Sequence, residues 1–80
     1  MDLSPPTREE LIYAAAQMRQ QLLTRADAVM LDWRTEMMLG EISDAKRAKL
    51  SAWLAYKNKV KAINVTTSPE NVHWPVLPAI

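Results

Sequence analysis

The first half of the chain carries apolar residues at steps of three and four, which is the spacing of one face of an α-helix. The pattern follows a capping box that runs from Thr7 to Glu10, where the threonine side chain can accept a backbone hydrogen bond. It stops before Gly40, the only glycine, a residue type that often closes helices. We therefore expect a helix over residues 7–39. Its apolar stripe consists of Leu11, Ala15, Met18, Leu22, Ala26, Val29, Trp33 and Met37, widened by Ile12, Leu23 and Met30.

The next segment predicts a second helix over residues 43–63. Ser43 is a favourable N-cap, and Asp44 places a negative charge in the first turn, where the helix dipole favours it. The short connection between the helices is typical of an antiparallel helical hairpin. The apolar side of the second helix consists of Ala45, Ala48, Ala52, Trp53, Tyr56, Val60 and Ile63. We expect its small residues, together with Ala55, to allow a close approach to the first helix.

Residues 64–80 lack helical periodicity and are predicted to form an extended tail, because prolines restrict the residues before them to extended geometry. The tail is apolar, so we expect it to lie on a protein surface. Trp74 is predicted to pack on the chain's own hairpin near Tyr56 and Val60. The expected core and anchor residues are Trp33, Trp53, Tyr56, Val60, Trp74 and Pro75.

These patterns predict an all-α fold: a two-helix hairpin over residues 7–63, preceded by an N-terminal arm over residues 1–6. A continuous first helix would be about 50 Å long, whereas a compact domain of this length has a radius of gyration of about 12 Å. Either the helix breaks near residues 24–27, or its first half extends beyond the hairpin and buries its stripe against another chain. The second alternative is favoured and predicts a homo-oligomer. The expected partner-binding residues are Leu11, Met18, Leu22, Met37 and Met38.

Composition and charge narrow the function classes. A chain of 80 residues without cysteine is one small domain with no disulfide scaffold, thiolate metal site or cysteine nucleophile. Residues 1–40 contain four basic and six acidic residues, and residues 41–63 contain six and two, so the two helices should attract each other. No apolar run reaches the length of about 18 residues that a membrane span requires. The start of the chain lacks a signal-peptide pattern, which predicts a cytosolic protein.

Candidate catalytic groups are few. His73 is the only histidine, and the single glycine excludes a glycine-rich phosphate loop. We therefore expect no enzyme activity, metal, cofactor or small-molecule substrate. The alternative function is a small helical DNA-binding regulator, because the second helix carries six basic residues beside Trp53 and Tyr56. Those charges scatter around the helix, and the net charge is only +1, which favours protein partners over nucleic acid.

Several motifs together resemble a known family. The most specific are the tryptophan-x-x-tyrosine at Trp53 and Tyr56 and the tryptophan-proline at Trp74 and Pro75. The runs that carry the resemblance are Ala26 to Val29, Gly40 to Asp44, Leu50 to Lys57 and Val72 to Pro78. Over roughly residues 20–78, the sequence resembles the C-terminal region of tailed-phage and prophage tail fibre assembly proteins.

The resemblance implies a chaperone that helps a trimeric tail fibre to fold, with the fibre protein as its partner and no enzymatic activity. It also implies a location in the host cytoplasm and retention of the chaperone at the fibre tip. Typical members carry an N-terminal, mainly β domain before this region, whereas here the capping box begins close to Met1. The sequence is thus expected to represent a fragment, a truncated prophage product or a self-sufficient helical module.

Overall fold

The computed structural model describes residues 4–79 and consists of two α-helices and one short 3-10 helix. Helix α1 spans Arg8–Met38, α2 spans Asp44–Ala62, and the 3-10 helix spans Pro69–Asn71. Both α-helices match the predicted bounds to within one residue at each end. The part of the chain that the structure describes contains no strand, and the predicted all-α hairpin is confirmed. Parts of the predicted arm and tail, residues 1–3 and 80, lie outside the described residues.

The start of each helix is set by a hydroxyl side chain. Thr7 Oγ1 accepts a hydrogen bond of 3.1 Å from the backbone N–H of Glu10, and Ser43 Oγ accepts one of 3.2 Å from that of Lys46. Each of these bonds satisfies one of the amides that have no partner within the first helical turn. The two hydroxyl residues therefore fix where both helices begin.

The end of α1 depends on the backbone conformation of Gly40, whose φ is +72°. The N–H of Gly40 donates to Met37 O at 3.1 Å, and the N–H of Glu41 donates to Glu36 O at 2.9 Å. This pair of bonds is a Schellman motif, which requires a left-handed residue at the glycine position. The motif reverses the chain and brings α2 back along α1.

The core lies where the two helices cross and is built mainly from large side chains of α2. Ala26 is fully buried in it, and this small residue of α1 is what lets the helices approach. The prediction that the alanines of α2 line the interface is wrong, because they lie on a different side of the helix and all are exposed: Ala45, Ala48, Ala52 and Ala55. The buried cluster consists of Ala26, Met30, Ile42, Leu50, Trp53, Tyr56 and Val60.

Two ion pairs connect the helices and agree with the opposite charges expected from the sequence. Lys46 Nζ lies 2.9 Å from Glu36 Oε1, and Lys57 Nζ lies 2.5 Å from Asp27 Oδ1. In both pairs the cation belongs to α2 and the carboxylate to α1. Such partly exposed pairs contribute little stability on their own, and their positions agree with the register in which the two helices pack.

Helix α1 is continuous, so the alternative of a break near residues 24–27 is wrong. The molecule is elongated, with extents of 54 × 21 × 17 Å and a radius of gyration of 16.4 Å. The segment after α2 continues beside the first half of α1 and partly covers its stripe. Arg19 donates to Ile63 O at 3.1 Å, and Arg8 donates to Thr66 O at 2.5 Å. The chain itself thus supplies part of the cover that we expected from another chain, and Met18 stays exposed.

The tail then turns back towards the centre of the hairpin. The indole N–H of Trp53 donates to Ala79 O at 3.1 Å, which ties the end of the described chain to the core. Trp74 is half-buried and packs against the buried cluster that contains Tyr56 and Val60. The tail is therefore a third layer on the helices.

Candidate functional site

The hairpin tip presents large apolar side chains to solvent. Met38 is 88% exposed and Leu39 65%, and both lie where α1 meets the connection. Met37 and Leu54 are each about half-exposed and lie across a shallow groove from one another. We refer to Met37, Met38, Leu39 and Leu54 as the tip surface.

The groove within the tip surface separates the end of α1 from the first half of α2. It has a volume of about 200 Å³, and its floor is formed by the buried Leu50. Arg47 and Ser51 form its polar edge. An apolar floor with a cation at the edge suits a partner that offers an apolar side chain together with an acceptor.

A second and larger cavity lies between α2 and the tail. We refer to it as the tail pocket; its volume is about 350 Å³. The lining residues are Ala52, Ala55, Tyr56, Lys59, Pro75, Val76 and Pro78. The exposed alanines of α2 therefore face this pocket and the surface beside it, rather than α1.

Tyr56 connects the core with the tail pocket. Its ring packs edge-on against that of Trp53, with ring centroids 5.6 Å apart. Burial raises the pKa of the Tyr56 hydroxyl, and the nearby charge of Arg25 partly opposes this effect. Within the described chain the hydroxyl is buried without a hydrogen-bond partner. The tyrosine therefore acts in the described structure through its ring rather than through its hydroxyl.

The predicted partner-binding residues fall into two groups. Met37 and Met38 are exposed at the tip, and Met18 is 43% exposed on the first half of α1. Leu11 is half-buried, whereas Leu22 packs against the buried cluster of its own chain. Leu22 is itself only partly buried, and its contacts with its own chain leave less of it available to another chain.

Leu39 and Leu54 are not among the contact residues predicted from the sequence. Leu54 directly follows the buried Trp53 and lies outside the apolar side that was assigned to α2. Helical periodicity therefore did not predict that it contacts a partner. The signal that could have found it is its spacing of four residues from Leu50, which places both on one flank of the helix. Leu39 lies in the helix-terminating turn, where helical spacing no longer applies.

Groups that could support chemistry are scarce in the described residues. Residues 4–79 contain no cluster of three or more histidine, cysteine, aspartate or glutamate residues that could hold a metal ion. His73 is exposed on the tail. Neither of the two described α-helices is long and apolar enough to cross a membrane. The apolar tip surface and the tail pocket are therefore the features that suggest a function.

A helical hairpin with exposed apolar surfaces defines a module of the kind that contacts other proteins. A family model described as "Caudovirales tail fibre assembly protein, lambda gpK" matches residues 1–79 of this chain. The chain belongs to this family, and the match covers more of it than the motifs alone suggested.

One curated relative adds detail to this assignment. The chain is 30% identical over 81 residues to the uncharacterized protein YfdK of Escherichia coli strain K12. The alignment covers 99% of this chain and 55% of the relative, so the chain spans about half the length of that protein. No solved structure matches the chain.

Proposed function

We propose that this chain is a tail fibre assembly chaperone that binds the tail fibre protein and assists its folding. The observation that carries this proposal is the exposed tip surface in a member of the tail fibre assembly family. Several large apolar side chains exposed close together on a small protein are costly in water and typically mark a partner site. The match to the tail fibre assembly family supports the fibre protein as that partner.

The composition of the tip surface suits a chaperone. Met37 and Met38 have flexible, polarisable side chains, which can pack against apolar surfaces of different shapes. A folding fibre presents such varying surfaces before its chains are fully assembled. The tip therefore favours transient binding over one rigid complementary fit.

We propose that the chain does not bind nucleic acid, because several of its cationic side chains already contact other groups within the chain. Lys46 and Lys57 pair with carboxylates of α1, while Arg8 and Arg19 donate to backbone carbonyl groups. These contacts reduce the basic surface that phosphate groups could reach.

We also propose that the protein is located in the host cytoplasm and is retained at the fibre tip after assembly.

The fibre-binding proposal is tested by co-expressing a tailed-phage tail fibre protein with the wild-type chain or with Met38→Glu. We expect the variant to lower the yield of soluble trimeric fibre at least about tenfold, because a charge replaces an exposed apolar contact that is worth roughly 1.5–3 kcal/mol when buried. Its own stability should change by no more than about 0.5 kcal/mol, as is usual for surface positions.

The matched control is Tyr13→Glu, which adds the same charge to an exposed apolar site on α1 far from the tip. It should support fibre assembly as well as the wild-type chain does. Equal fibre yields from the Met38 and wild-type chains would contradict the proposed tip contact. A wild-type chain that captures no fibre and raises no yield would contradict the chaperone function itself.

The proposal also includes self-association through the first half of α1. Leu11 and Met18 lie seven residues apart on one edge of this helix, and neither is fully covered by residues 63–71. We expect Met18→Glu to weaken self-association at least about tenfold, given the cost of losing a buried apolar side chain. Sedimentation velocity over a range of concentrations measures this change.

The control for self-association is Gln17→Glu, which adds the same charge to a polar neighbour of Met18. It should leave the association constant within about twofold of the wild-type value, as expected for a surface change. A wild-type chain that stays monomeric at high concentration would rule out this contact.

A further inference from the structure

The tail pocket remains open because of the residues that form its walls. On one side, Ala52 and Ala55 present only methyl groups, which are too short to fill the space up to the tail. On the other side, Pro75 and Pro78 have fixed φ angles, so the tail does not collapse easily into the gap. The pocket is therefore a preformed cavity rather than loose packing.

The rim of the pocket combines an apolar side chain with a cation. Val76 is 91% exposed beside the cavity, although the tail around it is held on the hairpin. Of the described residues that line the pocket, only Lys59 is charged. Lys57, two residues earlier, is instead paired with Asp27. An apolar cavity with a positive rim selects for an occupant that is apolar at its centre and negative around it.

We propose that the tail pocket receives a bulky apolar side chain from an acidic segment of the tail fibre. This inference rests on the proposed function, because it names a second contact with the same partner. The apolar side chain displaces water from between Ala55, Pro75 and Val76, and a flanking carboxylate pairs with Lys59. The volume of about 350 Å³ is ample for one aromatic side chain.

Two short peptides test the pocket independently of the fibre. The first has a central phenylalanine between two glutamates on each side, and the second has alanine at the centre. We expect the phenylalanine peptide to shift the NMR signals of Val76 and of the α2 alanines in the isotope-labelled full chain. The alanine peptide should bind at least about tenfold more weakly, because it leaves the cavity unfilled.

Two alanine-to-leucine substitutions test whether peptide binding depends on the pocket or on other parts of α2. Ala55→Leu fills the cavity, whereas Ala48→Leu adds the same side chain to an exposed alanine outside it. The first variant should reduce the affinity for the phenylalanine peptide at least tenfold, and the second should not change it. Both should melt close to the wild-type temperature, since both positions are exposed and leucine favours helix.

A charge reversal tests the rim. Lys59→Glu should weaken binding of the phenylalanine peptide several-fold at low salt, and the difference should shrink as salt screens the pair. Lys61→Glu is the control. It makes the same charge change on the opposite flank of α2, at a residue that does not line the pocket. It should alter binding much less.

The outcomes distinguish the pocket from the chaperone function. Equal binding of both peptides, or unchanged binding by Ala55→Leu, would overturn the pocket proposal even if the wild-type chain captures the fibre. Fibre capture that is weakened by Ala55→Leu and kept by Ala48→Leu would support it. If the peptides bind as expected but no fibre is captured, the pocket binds an apolar side chain in an acidic segment. The proposal that this segment belongs to the tail fibre is then refuted.

Discussion

Replacing Trp53 by alanine is expected to lower the free energy of unfolding by about 3–5 kcal/mol, a loss typical of deleting a large buried aromatic side chain. Trp53 is fully buried at the centre of the cluster, packs against Tyr56 and donates a hydrogen bond to Ala79. Small domains have total stabilities of about 5–15 kcal/mol, so much of the variant should be unfolded in mild denaturant. Urea titration followed by circular dichroism measures the change.

Trp53→Phe is the control that separates packing from the hydrogen bond. It retains an aromatic ring in the core but cannot donate to Ala79 O, so we expect a smaller loss than for alanine. Trp33→Ala should also cost less, because Trp33 lies at the half-exposed edge of the cluster. A Trp53→Ala variant within about 0.5 kcal/mol of wild type would behave like a surface substitution and would contradict the assigned core.

Replacing Ala26 by leucine is expected to destabilise the hairpin by about 1–3 kcal/mol, the usual cost of overpacking a filled core. Ala26 is fully buried where the helices approach, so a longer side chain must push α2 away or adopt a strained rotamer. Leucine and alanine both favour helix, which means that the loss reflects packing rather than helix propensity. Thermal and urea unfolding measure it.

Ala28→Leu provides the matched control, because Ala28 is exposed on the same helix. Its stability should stay within about 0.5 kcal/mol of the wild-type value. If the two leucine variants were equally stable, the close approach of the helices at Ala26 would be wrong.

The helix bounds were predictable because they depend on local chemistry. Thr7 and Ser43 cap their helices in the structure, and Gly40 adopts the left-handed conformation that its position suggested. Each of these features involves residues within a few positions of one another. Such contacts can be inferred from sequence without knowledge of the remaining fold.

The arrangement of the helix interface was less predictable. Alanines on α2 and Ala26 on α1 look alike in sequence, and only the rotation of α2 decides which of them becomes buried. That rotation follows from the large side chains of Leu50 and Trp53, together with the ion pairs to α1. Periodicity identified Trp53 correctly but shifted the apolar face towards the alanines.

The sequence predicted that the tail packs on the hairpin, but it did not predict the route of the tail along the helices. Its apolar residues indicated that it would pack on a surface, and Trp74 does lie against the cluster that contains Tyr56 and Val60. Its route beside the first half of α1 depends on hydrogen bonds from arginine side chains to distant carbonyl groups, which sequence spacing does not reveal. The tail pocket results from that route and was therefore not predicted.

The unequal support along α1 gives this small protein a gradient of local stability. Its second half is clamped by α2 and the buried cluster, whereas its first half is held by the segment after α2, which contains the short 3-10 helix and contributes Val65 and Pro69 as buried contacts. Local opening requires the least free energy where few apolar contacts are buried. Amide hydrogens in the first turns of α1 should therefore exchange before those near Met30, and the end opposite the tip can rearrange while the hairpin stays folded.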